Sequence, residues 1–181
     1  MNEQFRWLEE EAKKAGFPGI HAQAVLCDST HSGESMTDGA TPITYADRDD
    51  LVNRIAFDSV THYQFAAMTR VNRDYAEVLT DVEQVWEETS RKMKMPYYPQ
   101  VSLGWDNTPR YGSITADNVM IGNTPKAIAK GFAAAKAFAE KNGCPLITLN
   151  SWNEWTEGSY LEPDDLYGDA YLQQAKEIFG K

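Results

Sequence analysis

Leu149-Asn150-Ser151-Trp152-Asn153-Glu154-Trp155-Thr156-Glu157-Gly158 closes an apolar run that starts at Pro145-Leu146-Ile147-Thr148, and leads on to Leu161-Glu162-Pro163-Asp164. Residues 145–149 read as a short buried strand. The chain then turns polar and aromatic at once. Trp152 and Trp155 bracket Asn153 and Glu154, and Glu157 follows three positions after Glu154. A carboxylate beside an indole is partly desolvated, which raises its pKa and holds a proton near neutral pH. Sugars offer C–H faces that stack on indole, and hydroxyls that pair with carboxylates and amides. The stretch therefore suits a carbohydrate pocket with acid/base chemistry. The competing reading is a strand end whose tryptophans are core and whose glutamates are solvated.

Spacing sharpens the first reading. On a straight strand, positions three apart point to opposite faces. Glu154 and Glu157 converge only if the chain turns between them or enters a helical turn, and Gly158 offers a place for that turn. Carboxyl groups about 5–5.5 Å apart suit retaining glycoside hydrolysis, and about 6.5–9.5 Å suits inversion. The sequence leaves both open.

Outward from this strand, the chain alternates helices and strands. Helices are expected at residues 2–15 (Phe5, Leu8 and Ala12 inward), 46–56, 72–93 (capped by Asn72), 124–142 (capped by Thr124, with Pro125 in the first turn) and 169–179. The stripe Tyr75, Val78, Leu79, Val82, Val85, Trp86 has helical spacing. Strands are expected at 20–26, 57–65, 97–103 and 145–149. The alternation predicts a parallel sheet of (β/α) units. Helix-to-strand connections are short, while strand-to-helix loops, chiefly 28–44 and 104–123, are long. In such folds the strand-to-helix loops build the site, which favours a TIM-type barrel over an open doubly wound sheet. Four strands make half a barrel, since a complete one has eight and needs about 250 residues. Its open edges and inner apolar face would have to be covered, by self-association or by a missing N-terminal half-barrel.

A second cluster, Gly104-Trp105-Asp106-Asn107-Thr108-Pro109-Arg110, lies in one long loop. Trp105 would stack on a sugar, Asp106 and Asn107 would take hydroxyls, and Arg110 would hold a carboxylate or orient a glutamate. Alternatively it is an Asp/Asn-Pro turn with an internal Asp–Arg pair. Of His62 and Tyr63, which alternate on the second strand, one faces the barrel interior; a histidine there is more often a satisfied core residue than a ligand. Asp28, His31 and Glu34 could bind a metal, but their spacing matches no strong motif.

The two clusters resemble the signature of the glycoside hydrolase family 99-like domain. That group includes endo-acting α-mannosidases and the WbsX-type proteins of bacterial surface-polysaccharide (lipopolysaccharide) biosynthesis clusters. Trp152–Gly158 with Leu161–Asp164 resembles the first hallmark, and Gly104–Arg110 resembles that of the WbsX-type branch. The resemblance covers the C-terminal half of the family's domain and implies that residues 1–181 form a single half-barrel belonging to a longer glycoside hydrolase-like domain. It implies a retaining, endo-type hydrolase acting on a mannose-containing or other surface polysaccharide, with Glu154 and Glu157 catalytic. Glu157 would be the general acid/base. Glu154 would act as base toward the sugar's own 2-hydroxyl, giving an anhydrosugar intermediate. Trp105, Asp106, Arg110, Trp152, Asn153, Trp155 and Tyr63 would bind substrate, and no cofactor or metal is implied. One departure stands out: the glycosidase branch has histidine where this chain has Thr156. The rival expectations are a glycosyltransferase-like biosynthesis protein and a non-catalytic carbohydrate-binding module. The absence of a glycine-rich phosphate loop counts against a sugar-nucleotide donor.

Composition excludes other classes. A net charge of −10 argues against nucleic acid and anionic membrane partners. No apolar run approaches the roughly 20 residues of a membrane span, and Met1 leads into a charged amphipathic segment instead of a signal peptide. The compartment, cytoplasmic or periplasmic, stays open. Cys27 and Cys144 make no disulfide framework and read as buried free thiols.

Overall fold

A computed structural model describes residues 1–27, 45–112 and 119–180. In chain order it contains α1 (Asn2–Lys14), β1 (Gln23–Leu26), α2 (Tyr45–Arg54), β2 (Ser59–His62), α3 (Tyr75–Lys92), β3 (Gln100–Ser102), the single turn α4 (Thr108–Tyr111), α5 (Pro125–Asn142), β4 (Thr148–Asn150), a hairpin of β5 (Asn153–Glu154) and β6 (Ser159–Tyr160), and α6 (Ala170–Phe179). Strand β1 pairs in parallel with β2, and β3 in parallel with β4. A parallel bridge between Val60 and Tyr97 joins the pairs: Val60 N donates to Pro96 O at 2.9 Å and Tyr98 N to Val60 O at 2.8 Å. The strands β1 to β4 are thus parallel, adjacent and in chain order, the (β/α) arrangement of a partial barrel.

Side-chain alternation gives this sheet two unlike faces. Tyr97 meets Phe138 of α5 edge-on at 6.0 Å, and Val101 lies against Gly131 of the same helix. Val60, Phe65, Tyr75, Trp86, Ile128 and Phe132 complete a core between sheet and helices. The other face carries Gln23, Ser59, Thr61, Gln100, Ser102 and Thr148. The expected apolar inner face is therefore corrected to a polar one. In strands this short, the helix-facing positions take most of the apolar residues, Val25 excepted, and the rest are amides and hydroxyls that bond one another. Gln23 Nε2 donates to Ser59 Oγ at 2.9 Å, and the hydroxyls of Thr61 and Thr148 lie 3.0 Å apart. That last bond joins β2 to β4 across β3, a span of about 9.6 Å in a flat sheet, so the sheet curls toward its polar face. The outer edges of β1 and β4 are unpaired among the described residues. An apolar hollow of about 440 Å³, lined by Cys144, Leu146, Ile147, Leu149 and Phe179, opens beside β4.

Several local expectations shift. The strands are shorter than their apolar runs, and Pro96 and Pro99, which have no N–H to give, interrupt the ladder before β3. The second run ends not in strand but in a 3₁₀ turn at Phe65–Ala67. Helix α3 is capped by Asp74, whose Oδ1 accepts from Ala76 N at 2.9 Å, while Asn72 is occupied by Arg70 Nε at 2.8 Å. Thr124 and Pro125 open α5 as expected, Thr124 Oγ1 accepting from Ala127 N at 3.3 Å. Helix α1 buries none of its residues: Phe5 packs on Phe57 at 5.4 Å and Asn2 bonds the backbone of Arg54 and Ala56, but Leu8 and Trp7 stay exposed. Cys144 is half-buried, whereas Cys27 is exposed. Its parity places it on the polar face with Gln23, at the exposed end of β1, so the reading of two buried thiols is corrected there. Among the described residues, no helix is long and apolar enough to cross a membrane.

His62 sits on the core side, with Nδ1 2.9 Å from the Tyr97 hydroxyl. Burial, helped by the positive Arg48, pushes its pKa down to about 3. The unfolded chain, with an ordinary histidine pKa near 6.5, therefore takes up a proton that the folded chain refuses. Stability from this source is full above about pH 6.5 and falls as the pH drops toward the folded value. His62→Gln keeps a polar partner for Tyr97 without the proton. In urea unfolding between pH 4 and 6, it is expected to flatten the acid slope by up to about 1.4 kcal/mol per pH unit; an unchanged slope would show that His62 titrates normally.

Candidate active site at the end of the fourth strand

The chain leaves β4 at Asn150 and folds back through the β5–β6 hairpin, with Asn153 opposite Tyr160 and Glu154 opposite Ser159. Between them lies a 3₁₀ turn, Trp155–Glu157, closed by Gly158 in the left-handed region at φ 59°. This is the helical turn that convergence of the two glutamates requires. Serines staple the hairpin to the strand: Ser159 Oγ donates to Asn150 O at 2.7 Å, and Ser151 Oγ donates to Ser159 O at 2.9 Å while accepting from Glu154 N at 3.0 Å.

The loop after β3 lies directly on the hairpin. Asp106 N donates to Glu157 O at 2.7 Å. A Cβ on Gly158 would lie 2.8 Å from that of Asp106, and one on Gly104 only 2.4 Å from Gly158 O, so glycine at both positions permits the contact. Asp106 Oδ1 accepts from Thr108 N at 2.7 Å and so opens α4, which carries Arg110 over the turn. The loop is an Asp-initiated turn, but its arginine pairs with the glutamates instead of with Asp106.

Arg110 Nη2 lies 3.0 Å from Glu157 Oε1 and 3.8 Å from Glu154 Oε1, and donates to Thr156 Oγ1 at 3.1 Å. Thr156 in turn donates to Glu154 Oε1 at 2.6 Å. Glu157 is buried at 5% exposure, and its Oε2 has no partner among the described residues. Desolvation pushes the Glu157 pKa up; Arg110 opposes this, Glu154 adds to it, and the net direction is upward. The ion pair alone would suggest a lowered value, but a half-exposed guanidinium is shared among three acceptors and water screens it, so burial decides. Tyr63, at the end of β2, lies in the field of both glutamates; burial first, then those charges, raise its pKa, with Asn150 opposing them.

Trp152 and Trp155 expose about half their surface, at 54% and 47%. Trp155 is pinned: its ring stacks on Tyr160 at 4.2 Å and its Nε1 donates to Glu162 Oε2 at 3.0 Å. The Tyr160 hydroxyl donates to Asp164 Oδ2 at 3.0 Å. Asn153 is exposed on the hairpin. Trp105 is half-buried against the core, and its carbonyl accepts from Met120 N at 2.8 Å. Glu154, Glu157, Arg110 and Tyr63 thus gather at one point, with Trp152, Asn153 and Trp155 on the same hairpin; Trp105 and Asp106 shape the adjoining loop. Sequence reading missed Thr156, Asn150, Tyr160 and Glu162 as members of this cluster. Thr156 stands out in the sequence only as the departure from the histidine of the glycosidase branch, and a pair such as Trp155–Glu162 is set by the path of the hairpin. Asp28, His31 and Glu34 lie outside the described residues; among those described, no three His, Cys, Asp or Glu side chains are placed to hold a metal ion.

A buried carboxyl of raised proton affinity beside a more open carboxylate, flanked by exposed indoles, is equipped for acid/base chemistry. Comparison with known proteins agrees with the fold. The chain is similar over 99% of its length to a solved structure described as a glycoside hydrolase-like protein, with a TM-score of 0.68 and 17% identity, and it covers 50% of that chain. At this identity the likeness concerns the fold. Over 116 residues the chain is 29% identical to the protein WxcX of Xanthomonas campestris pv. campestris, in each of two strains; the match takes in 59% of this chain and spans only 16% of the relatives' length. The profile of the family described as Glycosyltransferase WbsX matches residues 1–175. With that match spanning nearly its whole length, the chain belongs to the WbsX glycosyltransferase family.

Proposed function

We propose that this chain supplies the acid/base half of a retaining, endo-acting glycoside hydrolase whose substrate is a mannose-containing or other surface polysaccharide. One observation carries the reading: Glu157, buried and raised in proton affinity, shares a guanidinium with the more open Glu154 at the end of a parallel strand. Glu157 protonates the departing glycosidic oxygen and later takes a proton from the incoming water. Glu154 withdraws the proton of the neighbouring 2-hydroxyl, which attacks the anomeric carbon and forms an anhydrosugar; water then opens it with overall retention while Glu154 returns the proton to the 2-oxygen. Trp152 and Trp155 stack on sugars either side of the bond, Tyr63 and Asn153 bind hydroxyls, and Trp105 and Asp106 wall the cleft.

The working unit is proposed to be a closed barrel, with residues 1–181 as one half-barrel domain. Support comes from the free edges of β1 and β4, the polar concave face, and the 50% coverage of the structural neighbour. The other four strands belong to the N-terminal part of a longer chain or to a second copy.

The test follows the anomeric protons by NMR while the protein, as the 181-residue chain and in its longest gene-encoded form, acts on α-linked manno-oligosaccharides. The α-anomer is expected first, mutarotating later; an initial β-product overturns retention. The family's description as glycosyltransferases favours a second reading, transfer to a sugar acceptor. An anhydrosugar opens to a hydroxyl as readily as to water, so longer oligosaccharides formed at high acceptor concentration mark that outcome. Binding with no product of either kind points to a carbohydrate-binding module.

A further inference from the structure

Each glutamate of the pair has one oxygen already engaged, Glu157 by Arg110 and Glu154 by Thr156, and these two side chains are bonded to each other. Arg110 Nη2 reaches Glu157 Oε1 at 3.0 Å and donates to Thr156 Oγ1 at 3.1 Å, and Thr156 donates to Glu154 Oε1 at 2.6 Å. The polarity of this chain is forced. A guanidinium can only donate, and a hydroxyl has one proton. With Arg110 donating to it, Thr156 must aim its own proton at Glu154. Meanwhile Glu157 Oε2 is buried without a partner among the described residues.

We propose that Arg110 and Thr156 form a clamp that fixes how the two glutamates are turned toward the substrate: Arg110 holds Oε1 of Glu157 and Thr156 holds Oε1 of Glu154. Thr156 is then a positioning residue for Glu154, and Arg110 for Glu157. The inference rests on the acid/base reading above and gives a chemical role to the position at which this chain departs from histidine. Arg110, Glu154 and Thr156 are all substantially open to water, where single ion pairs and hydrogen bonds add little to stability. The arrangement is therefore better understood as orientation than as a structural brace.

The test uses Thr156→Val, which keeps shape but has no hydroxyl, and Thr156→Ser, which restores it. On an α-linked manno-oligosaccharide, Thr156→Val is expected to lower kcat about 10–100-fold, the range for a hydrogen bond to a charged group, with KM within about twofold; serine should recover most of the loss. A valine variant at the parent's kcat, or a serine variant no better than valine, overturns the clamp. Glu157→Gln serves as the control for the underlying reading: if it is inactive while Thr156→Val is unaffected, the clamp falls and the acid/base pair stands. A second arm needs no substrate. In the carbon-13-labelled chain, the Glu157 carboxyl is titrated by NMR and assigned by its loss in Glu157→Gln. Arg110 lowers the proton affinity of Glu157, so Arg110→Met is expected to move the Glu157 midpoint to higher pH. An unmoved midpoint overturns the clamp even if no sugar is ever turned over.

Discussion

Glu157→Gln is expected to cut kcat for a natural glycosidic bond by about 10²–10⁴-fold, the usual worth of a general acid/base group. The sugar oxygen leaving an oligosaccharide is a poor leaving group unless a proton arrives as the bond breaks. Glutamine fits the same space but carries no transferable proton. Binding should survive, because the residues that would contact the sugars, Trp152, Trp155 and Tyr63, are untouched, and calorimetry with the variant should give the parent's affinity within a few-fold. An activated aryl glycoside, whose phenolate needs no proton, should recover much of the loss. The pH profile carries the same signature. Burial raises the Glu157 pKa, and the protonated form is the active acid, so the parent's kcat/KM should fall as the pH rises through that raised value. On the aryl glycoside this alkaline limb should vanish in the variant. Parent-level hydrolysis of the natural bond by Glu157→Gln would remove Glu157 from the mechanism.

Much of the fold could be read in advance because each signal acts locally. The stripe from Tyr75 to Trp86 follows the helical period, and Thr124-Pro125 and Gly143 mark both ends of α5. Parallel order followed from alternation alone. Features set by a partner distant in sequence were not legible. Asn72 and Asp74 are both good caps by residue type, and the choice between them depended on Arg70 occupying the first. The polar concave face came from strand ends that a hydropathy run overestimates by several residues, since only the strand limits fix which residue faces the helices. The same parity put Cys27 on that face, at the exposed end of β1. At the site, Glu154, Glu157 and the need for a turn between them were readable because they lie within four residues. That Arg110 would reach over them, 46 residues from Thr156, depended on the close approach of two loops at Gly104 and Gly158. Trp155 looked like a stacking residue from the start, but its anchorage to Glu162 depended on the path of the hairpin.

Glu154→Gln separates the two glutamates. If Glu154 takes the proton of the 2-hydroxyl, its part is to create the nucleophile, and a neutral amide is too weak a base to do so. Turnover should fall by about 10²–10⁴-fold, as for Glu157, but an activated aryl glycoside should not restore it, because the missing step precedes any benefit from a better leaving group. The variant is a mild change elsewhere. An amide oxygen still accepts from Thr156, which now donates to Glu154 Oε1 at 2.6 Å, so the turn should hold its shape and oligosaccharide affinity should persist. The substrate offers an independent check. A 2-deoxy sugar at the scissile position has no hydroxyl to activate, so the parent should handle it as poorly as the Glu154 variant handles the ordinary sugar, and the mutation should cost little further on the deoxy substrate. If Glu154→Gln is instead rescued by the aryl glycoside as fully as Glu157→Gln, both carboxyls serve the leaving group and the anhydrosugar route is wrong. If a stable sugar–Glu154 ester accumulates on a fluorinated substrate, Glu154 is a direct nucleophile, and retention proceeds through a covalent glycosyl-enzyme.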